Sequence, residues 1–364
     1  MKILFVATVD IHIINHHLRI IHKLHEKGHQ VDMAANGSFK NEDITNKYDL
    51  PFSKNPFNLN NLKAGKQVAE IIKQEGYDIV SCHTPLSSFF TRYCARKCHT
   101  KMMYTAHGFH FYEGAPFINR TLYKKMEKIA AKYTDVLVTI NEEDYRAAKE
   151  FHLREKGIVK LIPGVGIDIN EIESAKKDKS LVKQSLGLDK QSFVCMSVGE
   201  LNKNKNQLFV LEALKEYFFE NSNLHYLICG VGPLQDQINE WIQKNNLDKQ
   251  IHLLGYRNDV RSIIYGADLF FSSSLREGLP VSVMEAMVTG TPVIVSNVRG
   301  NHDLIKNAKN GLLFEIGNAN QLSRRFESVY KNPVYGKELA EQAKEDVLVY
   351  RKENIDQMIL DLYK

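Results

Sequence analysis

A chain of 364 residues, 43% hydrophobic and 25% charged, exceeds the usual ceiling for a single core and has the make-up of a soluble globular protein with two domains. No apolar run approaches the roughly 18 residues of a membrane-spanning helix. Five cysteines (Cys82, Cys94, Cys98, Cys195, Cys229) without a CxxC pair argue against a disulfide framework and for a reducing cytosol. The net charge of +5 is uneven: residues 1–185 hold 28 lysines and arginines against 21 acids, the remainder 20 against 22. A basic first half suits anionic lipid or nucleic acid, and equally an ordinary solvated surface.

The opening MKILFVATVD lacks the longer apolar stretch and cleavage site of a signal peptide and reads as a first strand, KILFVAT (2–8). HHLRIIHKLHEKG is helical and stops at Gly28. QVDMAA (30–35), YDIVSCHT (77–84), KMMYTAHG (101–108) and DVLVTIN (135–141) follow as strands separated by helical patterns. The charged segment 163–191 carries no strand signal and reads as a joint. A fresh series then begins: SFVCMSVG (192–199), LHYLICG (224–230), IHLLGY (251–256), DLFFSSS (268–274) and TPVIVSN (291–297). This repeated alternation predicts two doubly wound α/β domains, 1–168 and 169–345. The closing ENIDQMILDLYK sets Ile355, Met358, Ile359 and Leu362 on one face, so a C-terminal helix over 346–364 is expected to pack back on the first domain.

Open α/β sheets bind ligands beyond the carboxyl ends of their strands. The polar features of this chain fall there: Asp10, His12, His83, His107, Asn141, Glu200 to Lys205, Gly230 to Gly232 and Glu277. In SLREGLPVSVMEAMVTGTPVI (274–294), Glu277 follows a buried strand and Glu285 sits inside the next helix. Pro280 can open that helix, and the amides of Val281 and its neighbours, with Gly278 and Leu279, would then point at an anion. Carboxylates beside a phosphate repel it unless they accept hydrogen bonds from hydroxyls of the same ligand. A nucleotide sugar supplies both groups. The competing reading is a capped helix whose buried glutamate pairs with an arginine such as Arg276 or Arg299.

REGLPVSVMEAMVTGTPVIVS resembles the E-x7-E signature of family 4 retaining glycosyltransferases, which have the GT-B fold of two Rossmann-like domains facing across a cleft. VGELNKNKN (198–206) resembles the family's phosphate-binding segment, IPGVGID (162–168) its interdomain motif and YTAHGF (104–109) its histidine motif. CGVGP (229–233), LLGYRNDV (253–260) and NGLLF (310–314) complete the series. The resemblance implies an acceptor-side first domain and a nucleotide-sugar-binding second domain. It places Glu277 on donor-sugar hydroxyls, Glu285 on the ribose, and Lys205 with the Gly278–Ser282 backbone (Leu279, Pro280, Val281 and Ser282 included) on the diphosphate. His107 would approach the reacting carbon, and Tyr256 and Arg257 the base. Gly230 and Gly232 permit close backbone approach.

Two departures bear on the site. Glu200 stands where the family usually has arginine, so Lys205, Lys203 and the helix terminus would carry the phosphate charge. The loop TVDIHIINHH lacks the family's Gly-Gly pair, so acceptor contacts there differ and involve Asp10, His12 and His16. The resemblance further implies a UDP-linked donor, a polyprenyl-linked or oligosaccharide acceptor in capsule, exopolysaccharide or O-antigen synthesis, and no cofactor or metal, since lysine and helix amides replace one.

Fourteen histidines include the i, i+4 pairs His12/His16 and His25/His29, but no HExxH pattern, and surface or loop positions are expected for them. In NRTLYKKMEKIAAKYTDV (119–136), Leu122, Met126, Ile129, Ala130 and Tyr133 lie opposite Lys124, Lys125, Lys128 and Lys132. With Arg92, Arg96, Lys97 and Lys101 this face could dock on the anionic inner face of the plasma membrane; core-plus-solvent amphipathicity explains it equally. No RNP, helix-turn-helix or zinc-finger context supports nucleic-acid binding. The rival functions are a nucleotide-sugar epimerase of the same fold, a non-catalytic nucleotide-sugar-binding subunit, and an inverting transferase with Asp10 or His12 as base.

Overall fold

Runs such as Ile3-Leu4-Phe5-Val6 are apolar at every position rather than at alternate ones, as strands covered by helices on both faces must be. The computed structural model describes residues 1–112, 115 and 117–364, and the chain divides into two compact units. The first is Met1–Gly166 with Glu353–Lys364, the second Ile167–Lys352.

In the first unit seven strands form one parallel sheet in the order β3-β2-β1-β4-β5-β6-β7. They are β1 (Lys2–Val9), β2 (Gln30–Asn36), β3 (Lys47–Asp49), β4 (Ile79–His83), β5 (Lys101–Ala106), β6 (Val136–Thr139) and β7 (Ile158–Leu161). Side chains alternate across it: Leu4, Val6, Val80 and Cys82 enter one core layer, Ile3, Phe5, Ala7 and Ile79 the other. Ile355, Leu360 and Tyr363 join the second layer. There buried Asp356 accepts from Arg19 (2.7 Å) and Lys23 (2.6 Å).

The second unit repeats the design with six parallel strands in the order β10-β9-β8-β11-β12-β13. These are β8 (Phe193–Val198), β9 (Leu224–Cys229), β10 (Ile251–Gly255), β11 (Leu269–Ser272), β12 (Val293–Ser296) and β13 (Leu312–Phe314). In both sheets the strand order reverses beside the first strand, at β1/β4 and at β8/β11, which opens a crevice at the carboxyl ends.

Three strands, β3, β7 and β13, were not anticipated, and each lies on the rim of its sheet. The helical stretch before Gly28 is two helices, Asp10–His16 and Leu18–Glu26, broken at His17. The expected joint 163–191 contains two helices, Ile169–Ser174 and Lys179–Ser185, capped by Asp168 and Asp178 accepting the Glu171 and Leu181 amides. The segment 346–364 is not one helix. A 3₁₀ turn, Val347–Tyr350, belongs to the second unit; helix Lys352–Leu360 and turn Asp361–Tyr363 follow, with the first unit resuming at Glu353. Ile167 and Lys352 mark the two crossings and are tied together. Ile167 N–H donates to Tyr350 O (2.9 Å), Lys352 N–H donates to Ile167 O (2.8 Å), and the Lys352 ammonium pairs with Asp168. All five thiols are free. Among the described residues no helix is long and apolar enough to cross a membrane.

Candidate active site

In the second unit the chain turns at Gly199 straight out of β8 and at Gly230 straight out of β9. A Cβ on Gly230 would lie 1.9 Å from the Gly199 carbonyl oxygen, and its φ is +144°. A Cβ on Gly232 would lie 2.5 Å from Leu201 O. The two loops thus touch backbone to backbone, which only glycine permits. Beside them lies a cavity of about 500 Å³ lined by Gly199, Glu200, Gly230, Gly232, Tyr256 and Arg257, among others. Tyr256 is 76% exposed and Arg257 is clamped by Asp259 at 2.7 Å. Cys229 also lines the cavity, but burial pushes its thiol up to about 12, so it stays protonated.

Lys205 adjoins this cavity, since a Cβ on Gly199 would sit 3.0 Å from its Cε. Its Nζ donates to Glu277 Oε1 at 2.6 Å, with the lysine side chain 24% and the glutamate 13% exposed. The loops bearing the pair are cross-linked. Leu275 N–H donates to Asn204 O (2.7 Å), Asn204 Nδ2 to Arg276 O (3.1 Å), and Ser273 Oγ to Lys205 O (2.9 Å). Arg299 Nε donates to Glu277 O (3.1 Å). Asn204 and Ser273 are positioning residues that motif reading did not single out; Arg299, considered as a partner of Glu285, instead holds the Glu277 backbone.

Helix Val281–Thr289 begins one residue later than expected, with Pro280 as its N-cap rather than inside the first turn. Leu279 and Pro280 are buried, Gly278 and Ser282 half-buried, and Val281 exposed. Glu285, one turn in, accepts from Arg261 Nε at 2.9 Å, and Arg261 also holds Glu171 at 2.5 Å. The arginine answering Glu285 is therefore neither Arg276 nor Arg299. Burial raises the Glu285 carboxyl and Arg261 opposes that shift. Glu200 is exposed and accepts from Asn202 Nδ2 (2.8 Å) on the cavity rim; Lys203 is exposed too.

In the first unit the crevice at β1/β4 is closed at its base by Thr8 and Thr84. Thr84 Oγ1 accepts from Thr8 N–H at 2.9 Å, and the two hydroxyls lie 2.8 Å apart. Thr84 is held at φ +67°, a strained conformation for a β-branched residue. A cavity of about 400 Å³ opens there, lined by Thr8, His12, His16, Lys54, Thr84 and Tyr123, among others. Asp10 takes another course. Its Oδ2 accepts from Phe39 N–H at 3.1 Å, and it packs so closely on Gly37 that a Cβ there would lie 2.0 Å away.

His107 follows β5 and is half-buried. Its Nε2 lies 3.1 Å from Nε2 of buried His17, so its partner is a side chain. His12 and His83 complete the group, with ring centroids 4.7 and 6.0 Å from that of His107. His12 is thus part of a packed cluster, and the expectation of a surface or loop histidine is corrected there; His16, beside it, is exposed. Burial lowers the basicity of the His12 (to about 4), His17, His83 and His107 imidazoles, so at neutral pH they carry no charge.

Arg92 also departs from expectation. It is fully buried, pairs with Glu127 at 2.7 Å and lies 4.1 Å over the Tyr104 ring, so it cannot belong to a membrane-facing basic set.

Comparison with known proteins bears on both units. Residues 15–169 match the family described as Glycosyltransferase Family 4, and residues 178–346 match Glycosyl transferases group 1. EpsD of Bacillus subtilis (strain 168), named as a glycosyltransferase, is 33% identical over 366 residues, covering 100% of this chain and 96% of that protein. The UDP-Gal:alpha-D-GlcNAc-diphosphoundecaprenol alpha-1,3-galactosyltransferase of Escherichia coli is 34% identical over 267 residues, 71% of this chain and 67% of that protein. Anabaena HepE, solved in complex with UDP, superposes with a TM-score of 0.80 at 20% identity over 100% of this chain and 99% of its own, a likeness of fold. With identity of that order along its whole length, and a family match on each sheet-bearing unit, the chain belongs to the family 4 glycosyltransferases of the GT-B fold.

Proposed function

We propose that the enzyme transfers a sugar, with retention, from a UDP-linked donor to a polyprenyl-diphosphate-linked or growing glycan of a surface polysaccharide. The observation that carries this reading is the Lys205–Glu277 pair at the β8/β11 crevice, beside a glycine-walled cavity of about 500 Å³. An ammonium held there by one carboxylate oxygen can turn to a diphosphate oxygen as charge develops on it. Glu277, relieved of the lysine, accepts from sugar hydroxyls. Preorganised charge of this kind stabilises a departing anion without reorganisation at the moment of bond breaking. Gly278, Leu279, Val281 and Ser282 at the start of helix Val281–Thr289 supply the neighbouring backbone, and Glu285 accepts from the ribose through the lone pairs Arg261 leaves. Glu200, Tyr256 and Arg257 line the base and ribose side. His107 serves the donor sugar, and His12 and His16 face the acceptor.

The lipid-linked acceptor is supported by the wording of the Escherichia coli relative's name. It is also supported by the exposure of Phe117 (79%) and Ile118 (67%) just before Lys124, Lys125, Lys128 and Lys132. Apolar tips followed by lysines suit peripheral contact with the anionic inner face of the plasma membrane. Liposome flotation at low salt checks this: binding to anionic vesicles weakens when Phe117 and Ile118 become serine, and no flotation at all removes the membrane from the reading.

The deciding experiment incubates the purified enzyme with UDP-sugars, with and without a short-chain polyprenyl-diphosphate sugar, and follows UDP release and product anomer. Acceptor-dependent release with retained configuration is expected. Isomerisation without acceptor, or an inverted product, overturns the proposal.

A further inference from the structure

We propose that His12, His17 and His107 form a binding site for a divalent transition-metal ion of the Zn²⁺ type in the first unit. One ring nitrogen from each of the three lies within 4.8 Å of the others. A tetrahedral ion with Zn–N bonds of about 2.05 Å holds its ligand nitrogens about 3.3 Å apart. The Nε2 atoms of His17 and His107 are already at 3.1 Å, so small ring rotations complete the set. His12 Nε2 is shielded from solvent and has no hydrogen-bond partner among the described residues. Unpartnered buried polar atoms are few in folded proteins, and this one belongs to a ring with a nitrogen within 4.8 Å of those of His17 and His107. One ion would engage all three.

The surroundings suit this assignment. His12 rides on helix Asp10–His16, His17 occupies the break before Leu18–Glu26, and His107 leaves the end of β5, so the nitrogens come from three anchored positions. Behind them His83 packs on His17 with ring centroids 3.7 Å apart. Ser81 Oγ is 3.1 Å from His83 Nε2, and the Tyr363 hydroxyl is 2.8 Å from Ser81 Oγ. His83, fixed in this way, holds the His17 ring in place by packing. Exposed His16 flanks the group, its ring centroid 4.9 Å from that of His12. A donor set of imidazoles alone selects Zn²⁺, Cu²⁺ or Ni²⁺ over Mg²⁺ or Ca²⁺. The three histidines belong to the first unit, whereas Lys205 and the helix proposed to hold the diphosphate belong to the second.

Occupancy would draw His107 away from the donor sugar, making the ion an inhibitor; that consequence rests on the proposed transferase reading, whereas binding itself does not. The test uses the full-length enzyme without a histidine tag, stripped with chelator and titrated with Co²⁺. Equilibrium dialysis should find one ion per chain, visible absorption should report nitrogen coordination, and Zn²⁺ should displace it. His12→Ala should weaken binding on the order of a hundredfold, while His25→Ala, on exposed helix surface, should not. No Co²⁺ bound by the wild-type enzyme, or unaltered binding in a His12→Ala protein of native circular dichroism, overturns the site. If Co²⁺ binds and Zn²⁺ leaves turnover intact at full occupancy, the inhibitory consequence falls and the site stands.

Discussion

At the carboxyl ends of β1, β4 and β5 the first unit presents threonine hydroxyls and uncharged imidazoles, whereas β8, β9 and β11 of the second end in glycines, a lysine and a glutamate. Strand order around the crevice is the same in both. What differs is where charge is kept. The first unit hides its most buried ion pair, Arg92–Glu127, between helices Pro85–Cys94 and Lys124–Ala131, against Tyr104. The second brings Lys205–Glu277 to the strand ends and Arg261–Glu285 to the adjacent helix. Neutral donors and acceptors suit hydroxyls; charge beside bare backbone suits a diphosphate. One topology therefore carries two different chemistries at its rim.

If the buried pair of the first unit is structural only, breaking it should cost stability and leave nucleotide binding alone. Glu127→Ala strands a guanidinium that has no access to water, a loss of about 3–5 kcal/mol. Thermal unfolding should show a clearly lowered Tm, while calorimetry finds UDP affinity unchanged in the folded protein. An unchanged Tm would mean that water reaches Arg92, and the contrast between the units would lose its first half.

The pair in the second unit should behave in the opposite way. Lys205→Ala removes one cationic contact at a developing charge, worth roughly 3 kcal/mol, so kcat should fall on the order of a hundredfold. Donor KM should change much less, because the lysine is engaged by Glu277 before substrate arrives. Steady-state kinetics showing kcat intact would remove Lys205 from the reaction.

Much of this contrast was legible in the residues. Ten strands announced themselves as apolar runs with turn signals, and E-x7-E singled out both glutamates. The strands missed had no such signal: Lys47–Asp49 and Leu312–Phe314 are three residues long, and Ile158–Leu161 alternates exposed and half-buried positions with none buried. Partners were harder than positions. Arg276 and Arg299 were candidates for Glu285 because they lie near it in sequence, yet Arg261 answers it from the preceding helix, Val260–Gly266. Likewise helical spacing drew attention to His12 with His16, but His17 joins them through the break between two helices, and His83 and His107 reach His12 only because the sheet brings β4 and β5 beside β1. Spacing reveals neighbours along an element; neighbours across elements depend on the fold.

Backbone approach in the second unit is the next point to press. Gly230→Ala places a Cβ 1.9 Å from a carbonyl oxygen at φ +144°, and conformational strain alone costs about 1–3 kcal/mol. UDP affinity should fall together with Tm, since the loops that clash also line the cavity. Ala→Gly exchange at half-buried Ala147 of the first unit, on helix Glu142–Lys149, should lower stability modestly and leave UDP affinity untouched. A Gly230→Ala enzyme that binds UDP normally would show that the close approach serves packing only.

The smallest effect tests whether uncharged histidines are themselves the mark of a site. His225 on β9 and His252 on β10 lie 3.2 Å apart near the amino ends of their strands, and burial lowers the basicity of both. A histidine with a depressed folded-state pKa binds fewer protons folded than unfolded. Its contribution to stability is therefore complete above about pH 6.5 and declines as the pH falls below that value. Tm measured from pH 7.5 down to 5 should drop, and His252→Gln should make the drop shallower without altering turnover at pH 7.5. That outcome would show desolvation weakening imidazoles wherever they are buried. The cluster in the first unit would then be distinguished by the convergence of its nitrogens, and a slope unchanged by His252→Gln would return basicity to the list of its distinguishing features.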